Sequence, residues 1–308
     1  MRRAPFSTAP PRATVVVEDP SYAGGLDAFG SSQAQLIAVP SDEEGMRVDL
    51  LEPLLEGMSP APRLIYVMPN FQNPSGGTLS LERRHWLLEL SYRHGIPILE
   101  DDPYGELRYE GEPIASLKAM DTEGAVICLG TFSKTLAPGL RLGWVVAPPE
   151  VTRGLVVLKQ AADLHSSSLS QRLAFEVCRN GGLDQQVERV KPIYRERRDL
   201  MWGLLGDRLP AGARCSRPQG GLFLWVILPE GVDARAMLAD ALREGVAYVP
   251  GMAFHPLGDR TNSLRLNFSG VRPDQIEEGI RRLGTVMERW CLSAAEGNGL
   301  VLPRDLAA

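Results

Sequence analysis

The sequence predicts an α/β fold: a mostly parallel sheet with one antiparallel strand, helices on both faces, and a smaller α+β domain at the C-terminal end. Three observations carry this. Short apolar runs rich in β-branched residues alternate with longer segments of helical spacing, the pattern of a parallel sheet covered on both sides. One pair of runs, "AVICLG" and "RLGWVVAP", is separated by residues 131–140 with no helix between them. A parallel crossover needs about a dozen residues or more, so that pair is antiparallel. Beyond about residue 186 the order changes to strands mixed with amphipathic segments, which marks a second unit.

The elements follow in order. "TVVVE" (14–18), "QLIAVP" (35–40), "RLIYVMP" (63–69), "IPILE" (96–100) and "AVICLG" (125–130) read as buried strands. "LERRHWLLELSYRHG" (81–95) brings Leu81, Leu87, Leu88 and Tyr92 round at helical spacing, and Gly95 is a natural stop. From 149 to about 208 the chain reads as helical, broken near His165 and at Asn180-Gly181-Gly182, with one long final helix bent at Pro192. "GLFLWVILP" (221–229), "VAYVP" (246–250) and "SLRLNF" (263–268) are strands, and "SAAEGNGLVLPRDLAA" is a loose tail. The expected domains are 1–185 and 186–308. No internal repeat is visible.

Composition narrows the function class. The net charge of −5 and the lack of a basic run argue against a nucleic-acid partner. The densest basic spot, "RERR" (195–198), sits in an expected helix and reads as a solvated face. No window approaches the roughly 18 apolar residues of a membrane span, and the first ten residues lack a signal-peptide core. Cys128, Cys178, Cys215 and Cys291 are far apart and form no CxxC pair, so free thiols in a reducing compartment are expected. The protein is expected to be cytoplasmic, with no membrane partner and no metal site.

In an open α/β sheet, ligands bind beyond the carboxyl ends of the strands. After "TVVVE" comes "DPSY" with Tyr22. After "RLIYVMP" comes "NFQNPSGG" with Asn73. After "IPILE" comes "DDPYG" with Asp101, Asp102 and Tyr104, and after "AVICLG" comes "TFSK" with Lys134. Each has an ordinary reading: Tyr22 as a wall, Asn73 as turn chemistry, the acids as a turn or helix cap, Lys134 as a solvent-facing strand end. Four independent strand ends would each need that excuse.

The set suits pyridoxal phosphate. A lysine amine can bind its aldehyde as a Schiff base. An acid at the ring nitrogen keeps the ring an electron sink. An amide and a phenol can donate to the ring oxygen, an aromatic can stack on the ring, and hydroxyls with an arginine can hold the phosphate.

"NPSGG", "DDPYGELRY", "GTFSKTLAPGLRLG" and "LRLNFS" resemble the class I/II aminotransferases of fold type I, over residues from about Thr14 to Trp290. "YVMPNFQNPSGGTLSLERR", "KQAADLH" and "PQGGLFLWVILPEGVDARAM" are most similar to the 2-aminoadipate and kynurenine aminotransferase branch. The resemblance implies transfer of an amino group from an L-amino acid to a 2-oxo acid through a Schiff base at Lys134. It implies Asp101 at the pyridine nitrogen, Tyr104 and Asn73 at the ring oxygen, and Tyr22 stacked on the ring. It also implies Thr131, Ser133 and Arg141 at the phosphate, Arg265 at the substrate carboxylate, Asn73 as a second substrate-binding residue, and a homodimer.

Family members carry a longer segment before this first strand, including a phosphate-gripping loop. "MRRAPFSTAPPRA" stands in its place here, so the N-terminal part of the pattern is expected to be missing, which puts turnover, phosphate affinity and dimer contacts in question. It is also expected to uncover an apolar sheet edge along "WVVAP". Two other readings stay open from the sequence: a cofactor-binding fragment without activity, and the effector domain of a transcription regulator that uses pyridoxal phosphate.

Overall fold

Alternation along the first strand sets the layers. The computed structural model describes residues 13–297. In β1 (Thr14–Asp19), Val16 packs into the core on one face of the sheet, while Val15 and Val17 pack into the core on the other. α1 (Ala23–Ser31) leads into β2 (Gln35–Asp42), parallel to β1 with Val15 opposite Leu36. β3 (Gly45–Met46) is a short antiparallel addition to β2. α2 (Val48–Glu56), β4 (Leu64–Val67), α3 (Leu81–His94), β5 (Ile98–Asp101), α4 (Leu117–Met120) and β6 (Val126–Thr131) continue the alternation. β7 (Gly143–Val146) runs antiparallel to β6, with Gly130 opposite Trp144, as the short link requires. The sheet order is β3-β2-β1-β4-β5-β6-β7.

α3 shows how local signals and packing agree. The Ser80 hydroxyl accepts from the Arg83 amide at the N-terminus, and Gly95 adopts the left-handed conformation (φ 62°) that ends the helix. Its Leu87, Leu88 and Leu90 pack with Leu51 and Leu55 of α2 on one face of the sheet. On the other face Leu26 of α1 joins Val15, Val17, Tyr66 and Phe71.

α5 (Pro149–Asp163), α6 (Ser168–Cys178) and α7 (Gly182–Gly206) break where the sequence indicates, and Pro192 lies inside α7. The expected boundary at 185/186 therefore falls within one helix. A second sheet follows, β8 (Arg214–Cys215), β9 (Phe223–Ile227), β10 (Val249–Pro250) and β11 (Ser263–Asn267), in the order β10-β11-β9-β8, all antiparallel. Two helices pack on it, α8 (Ala234–Arg243) and α9 (Pro273–Ala295). Met201 and Leu205 of α7, Leu224 and Val226 of β9, and Ile280 and Leu283 of α9 form its core.

Two expectations are corrected. β10 is two residues long rather than 246–250, because the Val246 amide still bonds back to Ala241 at the end of α8. α9 continues through Ala295, so the expected tail starts inside a helix; residues 298–308 lie outside the described residues, as do 1–12 of "MRRAPFSTAPPRA". The apolar sheet edge expected along "WVVAP" is seen in β7. Trp144, Val145 and Val146 are 44%, 41% and 47% exposed, because among the described residues β7 is the edge of the sheet. Among the described residues no helix is long and apolar enough to cross a membrane.

Candidate active site

β1, β4, β5 and β6 are adjacent parallel strands, so their carboxyl ends line one continuous rim. That order puts Tyr22, Asn73, Asp101 with Tyr104, and Lys134 along the rim in sequence. The small sheet adds Arg265 from the middle of β11. Its Nη1 donates to Asn73 Oδ1 at 2.6 Å, joining the two sheets at this point.

Asp101 ends β5. Its Oδ2 accepts from the Tyr66 hydroxyl at 2.8 Å. Burial raises its pKa, the Tyr66 bond opposes that rise, and the charge of Asp102 adds to it. Among the described residues no cationic side chain pairs with it. Its neighbour has the plainer job: Asp102 accepts from Asn70 Nδ2 and from the Gly105 amide, both at 2.9 Å, which ties the turn. That turn sets Tyr104, which is buried and stands edge-on to Phe223 with 5.8 Å between ring centroids. Burial pushes the Tyr104 phenol up, and Arg265 and the Asn73 side chain pull it back.

Lys134 lies half-buried in the loop after β6. Burial lowers its pKa first, then the positive charges of Arg265 and Arg141. The direction favours a neutral amine, the nucleophilic form. The loop is braced by Thr131, whose Oγ1 donates to Leu142 O at 2.9 Å and accepts from the Ser133 amide at 3.1 Å. The Thr131 hydrogen is thus used within the loop. Arg141 is exposed at φ 53°, unusual for a residue with a side chain, and its Nη1 donates to Pro138 O at 3.1 Å. Gly130 has no room for a side chain, since a Cβ would sit 2.3 Å from the Trp144 ring.

Arg265 is clamped between aromatic faces, 4.1 Å from the Phe223 centroid and 4.9 Å from that of Phe254. Burial lowers its pKa, offset by Tyr104 and Tyr22. Its Nε is buried with no partner among the described residues. A buried unpaired donor is costly, and a carboxylate would satisfy it in the forked geometry of guanidinium pairs.

Sequence reasoning missed several residues here. Glu18 in β1 is buried, with its pKa raised to about 8 chiefly by burial, against the hydrogen bond from the Met68 amide at 2.9 Å. Gln72 donates to Pro20 O at 2.5 Å and so ties the Tyr22 segment to the Asn73 loop. Arg84 of α3 is fully buried and donates to Leu79, Pro69 and Ala115 carbonyls and to Asn70 Oδ1, bracing the same loop. Glu18, at a strand end like the others, carried the one readable signal; Tyr66 and Arg84 carried none. The thiols offer no competing nucleophile in this part of the rim, as burial pushes Cys128 up to about 12. Among the described residues no three His, Cys, Asp or Glu side chains gather as a metal site.

These residues suit a bound pyridoxal phosphate. Among the described residues, a half-buried acid lacks a cation, a half-buried amine is held toward its neutral form, and a buried guanidinium Nε lacks an acceptor. A ring with a basic nitrogen, an aldehyde, and an amino-acid carboxylate beside it would meet all three.

Comparison with known proteins agrees. Residues 3–283 match the model of the family described as aminotransferase class I and II. The chain is 44% identical over 281 residues to aromatic-amino-acid aminotransferase 1 of Thermococcus litoralis, covering 90% of this chain and 67% of that protein. The structure of Pyrococcus horikoshii kynurenine aminotransferase in complex with PMP superposes with a TM-score of 0.88 at 43% identity, covering 91% of this chain and 70% of that one. The α-aminoadipate aminotransferase LysN of Thermus thermophilus, complexed with N-(5'-phosphopyridoxyl)-L-leucine, gives 0.88 at 39% identity, covering 92% and 72%. Proteins described as HTH-type transcriptional regulators are also similar, at 28 to 34% identity, and the chain spans 56 to 61% of their length. The fold is that of a pyridoxal-phosphate-dependent transferase. The chain belongs to the class I and II aminotransferase family: it is an aminotransferase, and its cofactor is pyridoxal 5'-phosphate.

Proposed function

We propose that the chain carries an amino group from an L-amino acid to a 2-oxo acid, with Lys134 as the residue that holds the cofactor and moves the proton. One observation carries this reading. A half-buried amine, a half-buried acid without a cation and a guanidinium with a free buried donor belong to one electrostatic neighbourhood, since Arg265 acts on both Lys134 and Tyr104, and Asp101 acts on Tyr104.

When bound, the cofactor supplies an aldehyde carbon that takes the amino group and a ring that withdraws electrons from the substrate Cα. Lys134 would hold that carbon through its amine, and once displaced by substrate would take the Cα proton as a neutral base. Asp101 would face the ring nitrogen and keep its proton in place. Tyr104 and Asn73 would donate to the ring oxygen, and Tyr22 would cover the ring face. Arg141, with Ser133 and Thr131, would hold the phosphate. Arg265 would grip the α-carboxylate through Nε and a second N–H, with Asn73 fixing its other arm.

On this reading the large unit spans 1–185 and the small unit 186–308, joined through α7. The working form is a cytoplasmic homodimer, which sedimentation would test. The reading of the site is tested by absorbance. A visible band on adding pyridoxal phosphate, lost in Lys134→Ala and bleached by an amino acid, supports it. A band unchanged in Lys134→Ala overturns it.

A further inference from the structure

Asp19, the last residue of β1, and His255, just after the single-turn 3-10 helix Gly251–Phe254, lie 236 positions apart and meet at 2.6 Å between Oδ1 and Nδ1. Both are buried. Beside them the Ser21 amide donates to Phe254 O at 2.7 Å, and Arg260 Nη2 stands 3.6 Å from Asp19 Oδ2. The other ring nitrogen of His255 is 3.4 Å from the Ser263 hydroxyl on β11, two residues before Arg265. The turn also lies directly on that strand: a Cβ on Gly251 would come within 1.9 Å of Ser263 Oγ. Phe254, next to His255, forms one face of the clamp on the Arg265 guanidinium and stands edge-on to Trp225, 5.7 Å between centroids.

One carboxylate–imidazole contact therefore fastens the turn that carries half of the Arg265 clamp to the strand that leads into Tyr22. The Nδ1–H of the ring can donate to Asp19 Oδ1. We propose that His255 and Asp19 are positioning residues for the carboxylate grip: they hold the 251–254 turn on β1 and thereby set Phe254 over Arg265. This rests on the reading of Arg265 given above. Neither residue touches substrate, and the effect is transmitted through Phe254.

The test uses His255→Leu, which removes the tie, and His255→Asn, whose amide Nδ2 can occupy the place of Nδ1. Hydrogen exchange of the protein without cofactor reports the tie itself. Loss of protection at the Ser21 amide and across 251–255 is expected in His255→Leu, with protection largely restored in His255→Asn. With cofactor bound, His255→Leu should raise KM for the amino donor about tenfold, with kcat and cofactor affinity changed less than about twofold, and His255→Asn should recover most of the loss. Unchanged Ser21 protection in His255→Leu overturns the tie. Lost protection with unchanged KM overturns its role in the grip, and so does an equal loss of cofactor affinity, which would mean general collapse of the rim. If the wild type forms no lysine-dependent band, the reading of the site fails and the grip with it, while the exchange experiment still decides whether the two residues hold the turn.

Discussion

Arg265 and Asn73 join the two sheets at the rim: the guanidinium Nη1 on β11 donates to the amide oxygen on the loop after β4 at 2.6 Å, across 192 positions of sequence. The bond fixes one arm of the guanidinium and leaves the buried Nε without an acceptor. Replacement by Lys keeps a charge but removes the fork. Arg265→Lys is expected to lose about 2 to 5 kcal/mol of binding in the transition state, roughly 30-fold or more in kcat/KM, with most of the change in KM. Steady-state kinetics with several amino acids would measure it. A uniform loss in kcat with KM intact would contradict the carboxylate role.

Asp101 takes the Tyr66 hydroxyl but no cation. Asp101→Asn preserves the shape and the acceptor oxygen while removing the charge. Cofactor binding should survive, and the half-reaction with an amino acid should slow by roughly 100-fold or more. Stopped-flow absorbance on the loaded variant checks this, and a rate equal to wild type would exclude Asp101 as the ring partner.

Glu18 gives a pH-dependent stability. Its carboxyl titrates near 4.5 when unfolded and at about 8 when folded, because burial disfavours its charged form. The folded state holds the proton more tightly, so stability from this group is fully present below pH 4.5 and falls as pH rises toward 8. Glu18→Gln should therefore match wild type in Tm near pH 4.5 and gain on it as pH approaches 8. Parallel melting curves over that range would decide it; parallel Tm profiles for both proteins would refute the buried acid.

Arg84 separates scaffold from chemistry. It is fully buried on four acceptors and, among the described residues, hydrogen-bonds none of the rim residues assigned to cofactor. Arg84→Met leaves three carbonyls and the Asn70 amide oxygen without this donor, and should cost about 3 to 5 kcal/mol of folding stability. Chemical denaturation would show the loss, whereas a change below about 1 kcal/mol would mean that solvent replaces the guanidinium.

Much of this architecture was legible because local signals and packing agree. The β-branched runs gave the strands, the ten-residue link gave the antiparallel β6–β7 pair, and Gly95 and Asn180-Gly181-Gly182 mark real helix ends. α1 was not legible, since "AGGLDAFGS" has three glycines and forms a helix by burying Leu26 against the sheet. β3 and β8, two residues each, carry no periodicity at all. Looking beyond strand ends picked out Tyr22, Asn73, Asp101 and Lys134, which follow strands that line one rim. It passed over Tyr66, which points at Asp101 from within β4, and His255, which meets Asp19 only when the small sheet docks. Such pairs are set by tertiary closure and leave no spacing to read.

The central claim is that Lys134 is the cofactor-holding amine, and the most direct measurement is the visible spectrum of the purified protein with added pyridoxal phosphate, beside Lys134→Ala at matched folding. The account predicts a band in the wild type that is absent from Lys134→Ala and bleaches when an L-amino acid is added. A band of equal strength in Lys134→Ala, or no band in either protein beyond that of free cofactor, would contradict it.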